Sequence, residues 1–320
     1  AKIFLTAGRH VAGAMGIART TRGKQPSTAE ELFASFLESL PRSPKAMAYI
    51  KQRGLERLLS PPFGGAEGRG GIGYNTGSQS SQMKYCLVFP LKDSQNRIVS
   101  FYGRSILNDS DKRHYYSANR KGLYPGYPGK NTHTLVLTEA IIDAATLLQL
   151  PEITENLAVL SLYGTNGLTD EHLQAIREWA VPSLSGRVRE GLEIILFLDG
   201  DQAGQKATEK HFETLHRLLP EISISYVEPP EGEDINSLYV NYGEEAILQL
   251  TGERVFLFST EKPIEKEKPE LPGQPVTSQS RLNTRNPEYI TFLPAGQAGE
   301  TCGLLFVLLG GLNLHQLDRM

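Results

Sequence analysis

The sequence has little cysteine, no long apolar run and little net charge, and each shortage excludes a class of protein. Of 320 residues only Cys86 and Cys302 are cysteine, and two thiols by themselves complete neither a zinc site nor a disulfide framework. No apolar run approaches the roughly 20 residues of a membrane span, and no signal-peptide pattern opens the chain. We therefore expect a cytoplasmic protein that has no membrane partner and binds no zinc.

What is present is an ordinary globular composition. Hydrophobic residues make up 39% and charged residues 22% of the chain, and this length suffices for about two domains. The formal net charge of -3 argues against a uniformly basic nucleic-acid-binding surface. A local basic patch remains compatible with it.

The sequence pattern of residues 1–82 predicts a helical region. The capping-box pattern that begins at Ser27 precedes apolar residues at helical spacing, which predicts a helix over residues 28–41. A second start at Ser43 and Pro44 predicts the other half of a helical hairpin. Residues 61–82 are rich in Gly, Pro and Ser and predict a mobile loop.

Residues 83–131 predict a basic, strand-rich domain. Two β-type runs, 86–91 and 98–104, flank a polar turn and predict an antiparallel hairpin. From residue 92 to residue 130 there are eight Lys or Arg residues and three Asp, with tyrosines interleaved. Cations that meet phosphates and rings that stack on bases suit a single-stranded nucleic acid. A solvated loop with structural tyrosines is the other interpretation.

Residues 132–252 alternate between strand and helix patterns. This alternation, with short connections, predicts an α/β fold in which a parallel sheet is flanked by helices. Residues 253–280 are dense in Lys, Glu and Pro and predict a linker. Residues 281–320 form a C-terminal segment whose role the sequence leaves open. The strands are predicted at residues 134–138, 157–162, 194–198 and 222–227.

Carboxylates follow three of these predicted strands. Asp199 and Asp201 come at the end of the most apolar strand, and Glu139 directly follows the first strand. Asp143 lies one helical turn later, and an acidic cluster that contains Asp234 follows the last strand. Because parallel strands end at one edge of a sheet, these like charges should meet there, which favours a bound divalent cation such as Mg²⁺ or Mn²⁺. For an isolated Asp-x-Asp pair, a solvated loop is the alternative.

Several motifs occur in a fixed order along the chain. They are AYIKQRGL at 48–55, the predicted β-hairpin, Glu139 with Asp143, SLYGTNGL at 161–168, DGDQAG at 199–204 and GED at 232–234. This ordered set resembles the TOPRIM domain that topoisomerases and primases share. Its order and spacing are similar to those of bacterial DnaG-type primases, and the resemblance covers about residues 40–250. A lone Asp-x-Asp is a weak signal, whereas the ordered set is specific.

This resemblance implies metal-dependent synthesis of short RNA primers on single-stranded DNA from ribonucleoside triphosphates, with a replicative helicase as a candidate partner. It implies catalytic roles for Glu139, Asp199 and Asp201, and metal binding by these three together with Asp143 and Asp234. It also implies that the basic domain lines the groove for template and nucleotide. The residues expected there are Arg97, Arg104, Lys112, Arg113, Tyr115, Arg120 and Lys121.

Three departures from the family pattern leave alternatives open. Ala140 replaces a usual Gly, and Asn236 replaces a second Asp, which implies a weaker hold on one metal ion. The zinc ribbon of such primases is not found among these 320 residues. The alternatives are a TOPRIM nuclease and a non-catalytic nucleic-acid-binding module of a mobile element.

Overall fold

The computed structural model describes residues 28–60, 71–107, 112–118, 120–181 and 187–260. The predictions of a mobile loop at residues 61–70, of a linker at residues 261–280 and of a C-terminal segment at residues 281–320 lie outside these ranges. No helix within them is long and apolar enough to cross a lipid bilayer.

Both predicted helices of this region are present, but they do not pack as a hairpin, because Phe33 and Phe36 of the first and Ala46 and Ile50 of the second belong to different hydrophobic clusters. Each helix begins where a side chain accepts a hydrogen bond from one of the first backbone N–H groups. Helix α1 spans Ala29–Ser39, and its cap Thr28 accepts a hydrogen bond from the N–H of Glu31 at 3.1 Å. Helix α2 spans Pro44–Gln52, with Pro at its first turn and Ser43 as its cap. A short 3₁₀-helix, Glu56–Leu59, follows.

The basic domain is built on a four-stranded antiparallel sheet with the order β1-β2-β3-β4. The predicted hairpin is confirmed as β2 and β3. The prediction of a loop throughout residues 61–82 is wrong at β1, because Tyr74 and its neighbours pair with β2 and lie in the core. The strands are β1 Gly73–Asn75, β2 Cys86–Lys92, β3 Ile98–Ser105 and β4 His114–Tyr116.

Both faces of this sheet are covered, which explains why β2 is buried along its whole length. Side chains alternate between the faces of a strand. Cys86 and Val88 therefore pack with Phe33 and Phe36 of α1 on one face. Leu87, Phe89 and Leu91 face the opposite core, which also contains residues of α2 and of the parallel sheet.

The second sheet has the order β6-β5-β7-β8-β9, in which the first four strands are parallel and β9 is antiparallel. The predicted parallel sheet is confirmed. The linker prediction is wrong at residues 255–258, because this segment pairs with β8 as an edge strand. The strands are β5 Thr134–Thr138, β6 Leu157–Ser161, β7 Glu193–Phe197, β8 Ser223–Tyr226 and β9 Val255–Phe258.

Helices connect these strands, and the register of the strands sets the position of the acidic residues. Thr138 pairs with Ser161 on one side and with Phe197 on the other, so β5, β6 and β7 end at the same level. The residues that follow them share one edge. The helices are α3 Ile141–Leu148, α4 Pro151–Asn156, α5 Asp170–Ala180, α6 Gln202–Leu218, α7 Ile235–Tyr242 and α8 Glu244–Gly252.

Candidate metal and nucleic-acid site

The acidic residues after β5, β7 and β8 lie at the common carboxyl edge of the parallel sheet, as the sequence predicts. Gly200 connects two of these segments, because its N–H donates to the carbonyl of Glu233 at 2.9 Å. A Cβ on Gly200 would come within 2.2 Å of the carbonyl oxygen of Pro230. Glycine is therefore required where the loop after β7 approaches the loop before Asp234.

Glu139 is a half-buried carboxylate in an unfavourable place for a charge. Its Oε2 atom is buried and has no hydrogen-bond partner within the part of the chain that the structure describes. Burial raises the pKa of Glu139, and the nearby charges of Asp201 and Asp234 raise it further, against the lowering effect of the backbone N–H groups of Asp199 and Thr165. A buried oxygen that has no hydrogen-bond partner and lies near two other carboxylates is suited to bind a cation.

Asp199 is a second carboxylate whose charged form is disfavoured by its surroundings. Burial raises the pKa of Asp199 to about 7, and repulsion from Glu139, Asp234 and Asp201 contributes to this increase. These repulsions show that the four carboxylates lie near one another at this edge.

Asp201 and Asp234 each begin a helix. Asp201 caps α6 by accepting the N–H of Gly204 at 2.8 Å, and Asp234 caps α7 by accepting the N–H of Ser237 at 2.6 Å. The positive ends of both helix dipoles therefore point toward the cluster and favour negative charge there. Each capping carboxylate keeps a second oxygen.

Asp143 occupies a different position from the other four acids. It is only 2% exposed, and its two oxygens accept the N–H groups of Ala140 and Asn236, each at 3.2 Å. Burial raises the pKa of Asp143 well above its usual value, with further contributions from Asp234 and Asp199. It connects the starts of α3 and α7 from beneath the cluster.

Asn236 has a structural task that the sequence does not reveal. Its carboxamide oxygen accepts from Arg53 at 3.1 Å, and its nitrogen donates to the carbonyl of Arg53 at 2.8 Å and to the hydroxyl of Thr146 at 2.9 Å. The side chain is 1% exposed. An Asp here would lack both donated bonds, so Asn236 connects α2 to the parallel-sheet domain.

The chemistry of the four carboxylates fits a divalent cation, although they do not form a finished cage. Hard carboxylate oxygens are the ligands that Mg²⁺ and Mn²⁺ prefer. Within the described ranges, no three His, Cys, Asp or Glu side chains are already close enough together to enclose an ion. The four side chains thus lie along a common edge, and a bound cation would bring their carboxylates closer together.

A row of cations and rings leads from this edge to the antiparallel sheet. Arg53 bonds to Asn236 and lies over the ring of Tyr49 at 5.6 Å. Tyr49 in turn accepts a hydrogen bond from Arg104 at 3.3 Å. Burial raises the pKa of Tyr49, but the two arginines more than offset this and lower it. The positive field therefore extends from α2 to β3.

Arg104 is fixed on its other side by β4. Its guanidinium lies 2.7 Å from Nε2 of His114, and Nδ1 of His114 lies 2.8 Å from the hydroxyl of Tyr102. Burial and the neighbouring Arg104 and Arg113 lower the pKa of His114. A neutral imidazole can accept from one neighbour and donate to the other.

Arg120 lies on the far side of the same edge. Its guanidinium is 3.8 Å from the ring centre of Tyr163 and 4.4 Å from that of Tyr116. Tyr163 follows β6, and the N–H of the next residue, Gly164, donates to the carbonyl of Glu139 at 3.0 Å. The stack therefore stands beside the acidic cluster.

Comparisons with known proteins identify this region. Residues 136–239 match the family model described as Toprim-like. This range contains all five acidic residues. Residues 136–239 therefore form a Toprim-like domain.

The chain around the Toprim-like domain is similar to bacterial DNA primases. It is 28% identical over 259 residues to the DNA primase of Pseudomonas aeruginosa, a match that covers 69% of this chain and 36% of that protein. The chain thus spans about a third of the length of this curated relative.

Solved primase structures share the fold. The zinc-binding and RNA polymerase domains of the Aquifex aeolicus primase align with a TM-score of 0.53 at 19% identity, covering 71% of this chain and 61% of that one. The Escherichia coli primase catalytic core aligns with a TM-score of 0.51 at 20% identity, covering 72% and 81%. The described part of this chain therefore shares the fold of these primase structures.

The remaining residues predicted for the groove are not all brought to the Toprim-like domain. Arg97 lies in the β2–β3 turn and forms an ion pair with Asp93 at 2.7 Å. Tyr115 points to the α1 face of its sheet, opposite Tyr116, and Lys112 lies 4.9 Å from the Tyr115 ring. Arg113 and Lys121 are exposed on the same basic domain.

Sequence reasoning missed several residues that line the edge. These residues are Tyr49, Arg53, His114, Tyr116 and Tyr163. Tyr49, Arg53 and Tyr163 fall within quoted motifs, so the motif itself is the signal that could have found them. For His114 and Tyr116, the two-residue period of β4 places them on the face of Arg104.

Proposed function

We propose that this chain carries the catalytic core of a primase, which joins ribonucleotides into a short primer on a single-stranded DNA template. The observation that carries the proposal is the edge where Glu139, Asp199, Asp201 and Asp234 lie near one another. Arg104 with Tyr49 lies on one side of this edge, and Arg120 with Tyr163 on the other. Similarity to bacterial DNA primases supports the reaction type.

Glu139, Asp199, Asp201 and Asp234 would hold Mg²⁺ or Mn²⁺. The bound cation would supply stabilisation of the negative charge that develops on the reacting phosphate oxygens. Asp143 and Asn236 act behind them: Asp143 holds the N–H groups at the starts of α3 and α7, and so keeps two ligand-bearing segments in place.

Arg104 and Arg120 would hold the phosphates of template and nucleotide. Both are fixed by aromatic partners before any substrate arrives, which lowers the entropy lost on binding. Tyr116 and Tyr163 offer ring surface beside the same arginine, as base stacking requires. A replicative helicase remains a candidate partner.

Primer synthesis can be tested with single-stranded DNA, labelled ribonucleoside triphosphates and Mg²⁺. Oligoribonucleotides should appear with the wild-type chain and disappear with Asp201→Asn. The matched control Glu209→Gln changes an exposed carboxylate on α6, outside the cluster, and should leave synthesis intact.

The same reaction mixture separates the alternatives. If a circular single-stranded DNA is cleaved and no oligoribonucleotides form, the chain is a nuclease and not a primase. Single-strand binding without either product, in the wild-type chain and in a fusion to a primase zinc ribbon, would leave a binding module.

A further inference from the structure

A second concave site lies away from the carboxylate edge. It is a cavity of about 480 Å³, within the range of small-ligand pockets. It faces the first half of β6, whereas the carboxylates follow the last residues of the neighbouring strands. The loop that contains the two prolines Pro125 and Pro128 forms its other wall. Other lining residues are Lys92, Asn96, Tyr127, Asn131, Thr132, Leu148, Glu155, Leu157 and Val159.

Lys92 is the unusual member of this wall. The residue is 4% exposed, and its backbone pairs with Leu123 in both directions. Its ammonium makes no hydrogen bond or ion pair within the part of the chain that the structure describes, and it is not closed off from solvent. Glu155 lines the same cavity but forms no ion pair with Lys92. The buried stem of Lys92 therefore presents an unpaired cation to the cavity.

Lys92 is held in place by its neighbours. A Cβ on Gly126 would lie 3.7 Å from both Cβ and Cδ of Lys92 and 3.8 Å from the carboxamide oxygen of Asn96. The lysine stem therefore lies along the Gly126 backbone, and Asn96 stands beside it. Burial lowers the pKa of Lys92.

The remaining wall offers contacts for the rest of a ligand. Tyr127 brings an aromatic ring, Asn96 and Asn131 bring carboxamides, and Leu157 and Val159 of β6 bring an apolar floor. One cation, one ring, two polar side chains and a dry surface suit a molecule that has a phosphate at one end and a planar ring at the other.

We propose that this cavity binds a nucleotide-sized phosphate ester, with Lys92 holding the phosphate and Tyr127 facing the base. The site is separate from the carboxylate edge and does not depend on the function proposed for it. A ligand there would contact β2, β6 and the loop between the two sheets, and so would stabilise the junction of the basic domain with the Toprim-like domain.

The test is calorimetric titration of the whole chain with GMP and AMP in EDTA, with guanosine and inorganic phosphate as separate arms. EDTA removes divalent cations, so repulsion should keep phosphate away from the carboxylate edge. At least one nucleotide should bind more tightly than both nucleoside and phosphate. Binding should survive in Asp199→Asn, which separates this site from the proposed catalytic one.

The decisive variant is Lys92→Met, with Lys130→Met as its control. Lys130 is an exposed lysine of the same loop, so its variant loses the same charge outside the cavity. Lys92→Met should weaken nucleotide binding at least tenfold, and Lys130→Met should leave it unchanged. Equal affinity of Lys92→Met and wild type, or no nucleotide binding by the wild type at millimolar concentration, would overturn the proposal.

Thermal unfolding gives a second readout that does not depend on calorimetry. Lys92→Met removes a partly desolvated charge and should not lower the Tm of the ligand-free chain. GMP or AMP should raise the Tm of the wild type and not that of the variant. A lower Tm in Lys92→Met would show that the lysine serves packing, and would count against a ligand site.

Discussion

Asp199 is the residue at which repulsion among the acidic side chains is most evident. Burial and three other carboxylates raise its pKa, and no cation of the protein is among the causes of this pKa shift. Such a group destabilises the ligand-free fold whenever it is ionised. Ionisation of Asp199 therefore lowers the free energy of unfolding, because the carboxylate ionises more easily in the unfolded chain than in the folded chain.

Asp199→Asn should stabilise the chain in EDTA, and more at pH 8 than at pH 5. An acid whose folded pKa is raised from 3.8 to about 7 makes stability fall as pH rises through that interval. The variant removes this loss. Thermal unfolding across pH 4 to 8 measures it, and Mg²⁺ should raise the Tm of the wild type more than that of the variant.

Asp93→Asn provides the opposite control. The side chain of Arg97 lowers the pKa of Asp93, so stability from this pair is present at neutral pH and is lost as pH falls. The variant should therefore be no more stable than the wild type at pH 8. A gain equal to that of Asp199→Asn would mean that general charge, not the site, is responsible.

Asn236→Asp should destabilise the chain by about 1–3 kcal/mol, because the carbonyl of Arg53 and the hydroxyl of Thr146 lose their donor. Asn241→Asp makes the same change on the exposed side of α7 and should stay within about 0.5 kcal/mol. Urea unfolding measures both. If the first variant keeps its stability and binds Mg²⁺ more tightly, Asn236 occupies a ligand position after all.

At the scale of elements, one ion pair supports β9 at the edge of the parallel sheet, in addition to its backbone pairing with β8. Both Arg254 Nε and Nη2 donate to Glu193 of β7, at 2.6 and 2.8 Å, and Ser225 of β8 donates to the same carboxylate at 2.6 Å. The bidentate pair spans three strands. It fixes a strand whose Val255 and Phe256 are exposed.

Arg254→Ala should cost about 3 kcal/mol, because it leaves the largely buried Glu193 without its cation. Arg57→Ala breaks the more exposed pair with Glu244 and should cost less than about 1 kcal/mol. Urea unfolding with both variants tests the difference. Equal losses would mean that β9 contributes little to the fold.

The start of α6 is a second element that depends on one residue. A Cβ on Gly204 would lie 2.0 Å from the carbonyl oxygen of Asp199, so Gly204→Ala should destabilise the chain by about 1–3 kcal/mol and displace both Asp199 and Asp201. Gly252→Ala at the end of α8, where a Cβ meets nothing within 4 Å, should be neutral or stabilising. Urea unfolding and Mg²⁺ titration measure the two effects.

At the scale of the whole molecule, a shared hydrophobic core fixes the basic domain relative to the Toprim-like domain. Ile50 and Leu55 of the helical region, Phe89 of β2 and Leu147 of α3 belong to one cluster. The amide of Gln149 also donates to the carbonyl of Gly54 at 2.7 Å. The position of the arginines beside the carboxylates is thus set by packing and not by a flexible linker.

Arg104→Gln and Arg120→Gln should each weaken single-stranded DNA binding and reduce the salt slope of the affinity by about 1. Arg97→Gln is the matched control, because Arg97 is paired with Asp93 about 20 Å further along the hairpin. Fluorescence anisotropy at several salt concentrations measures all three. Equal effects of all three variants would mean that the whole basic domain binds diffusely.

The sequence alone determined the parallel sheet, its helices and the placement of the carboxylates at the carboxyl edge of that sheet. These follow from local causes: apolar runs make strands, capping residues begin helices, and parallel strands end together. The position of Glu139, Asp199, Asp201 and Asp234 could therefore be predicted from the residues and from the family motifs.

Only the tertiary structure decided which of these groups are desolvated and what their neighbours do. Asn236 bonds to Arg53 across 183 residues, and Glu193 to Arg254 across 61, separations at which no sequence period operates. The same holds for the unpaired Lys92 at its cavity and for the opposite faces of Tyr115 and Tyr116. Burial and partner choice depend on how the sheets pack, and that packing is a property of the folded chain as a whole.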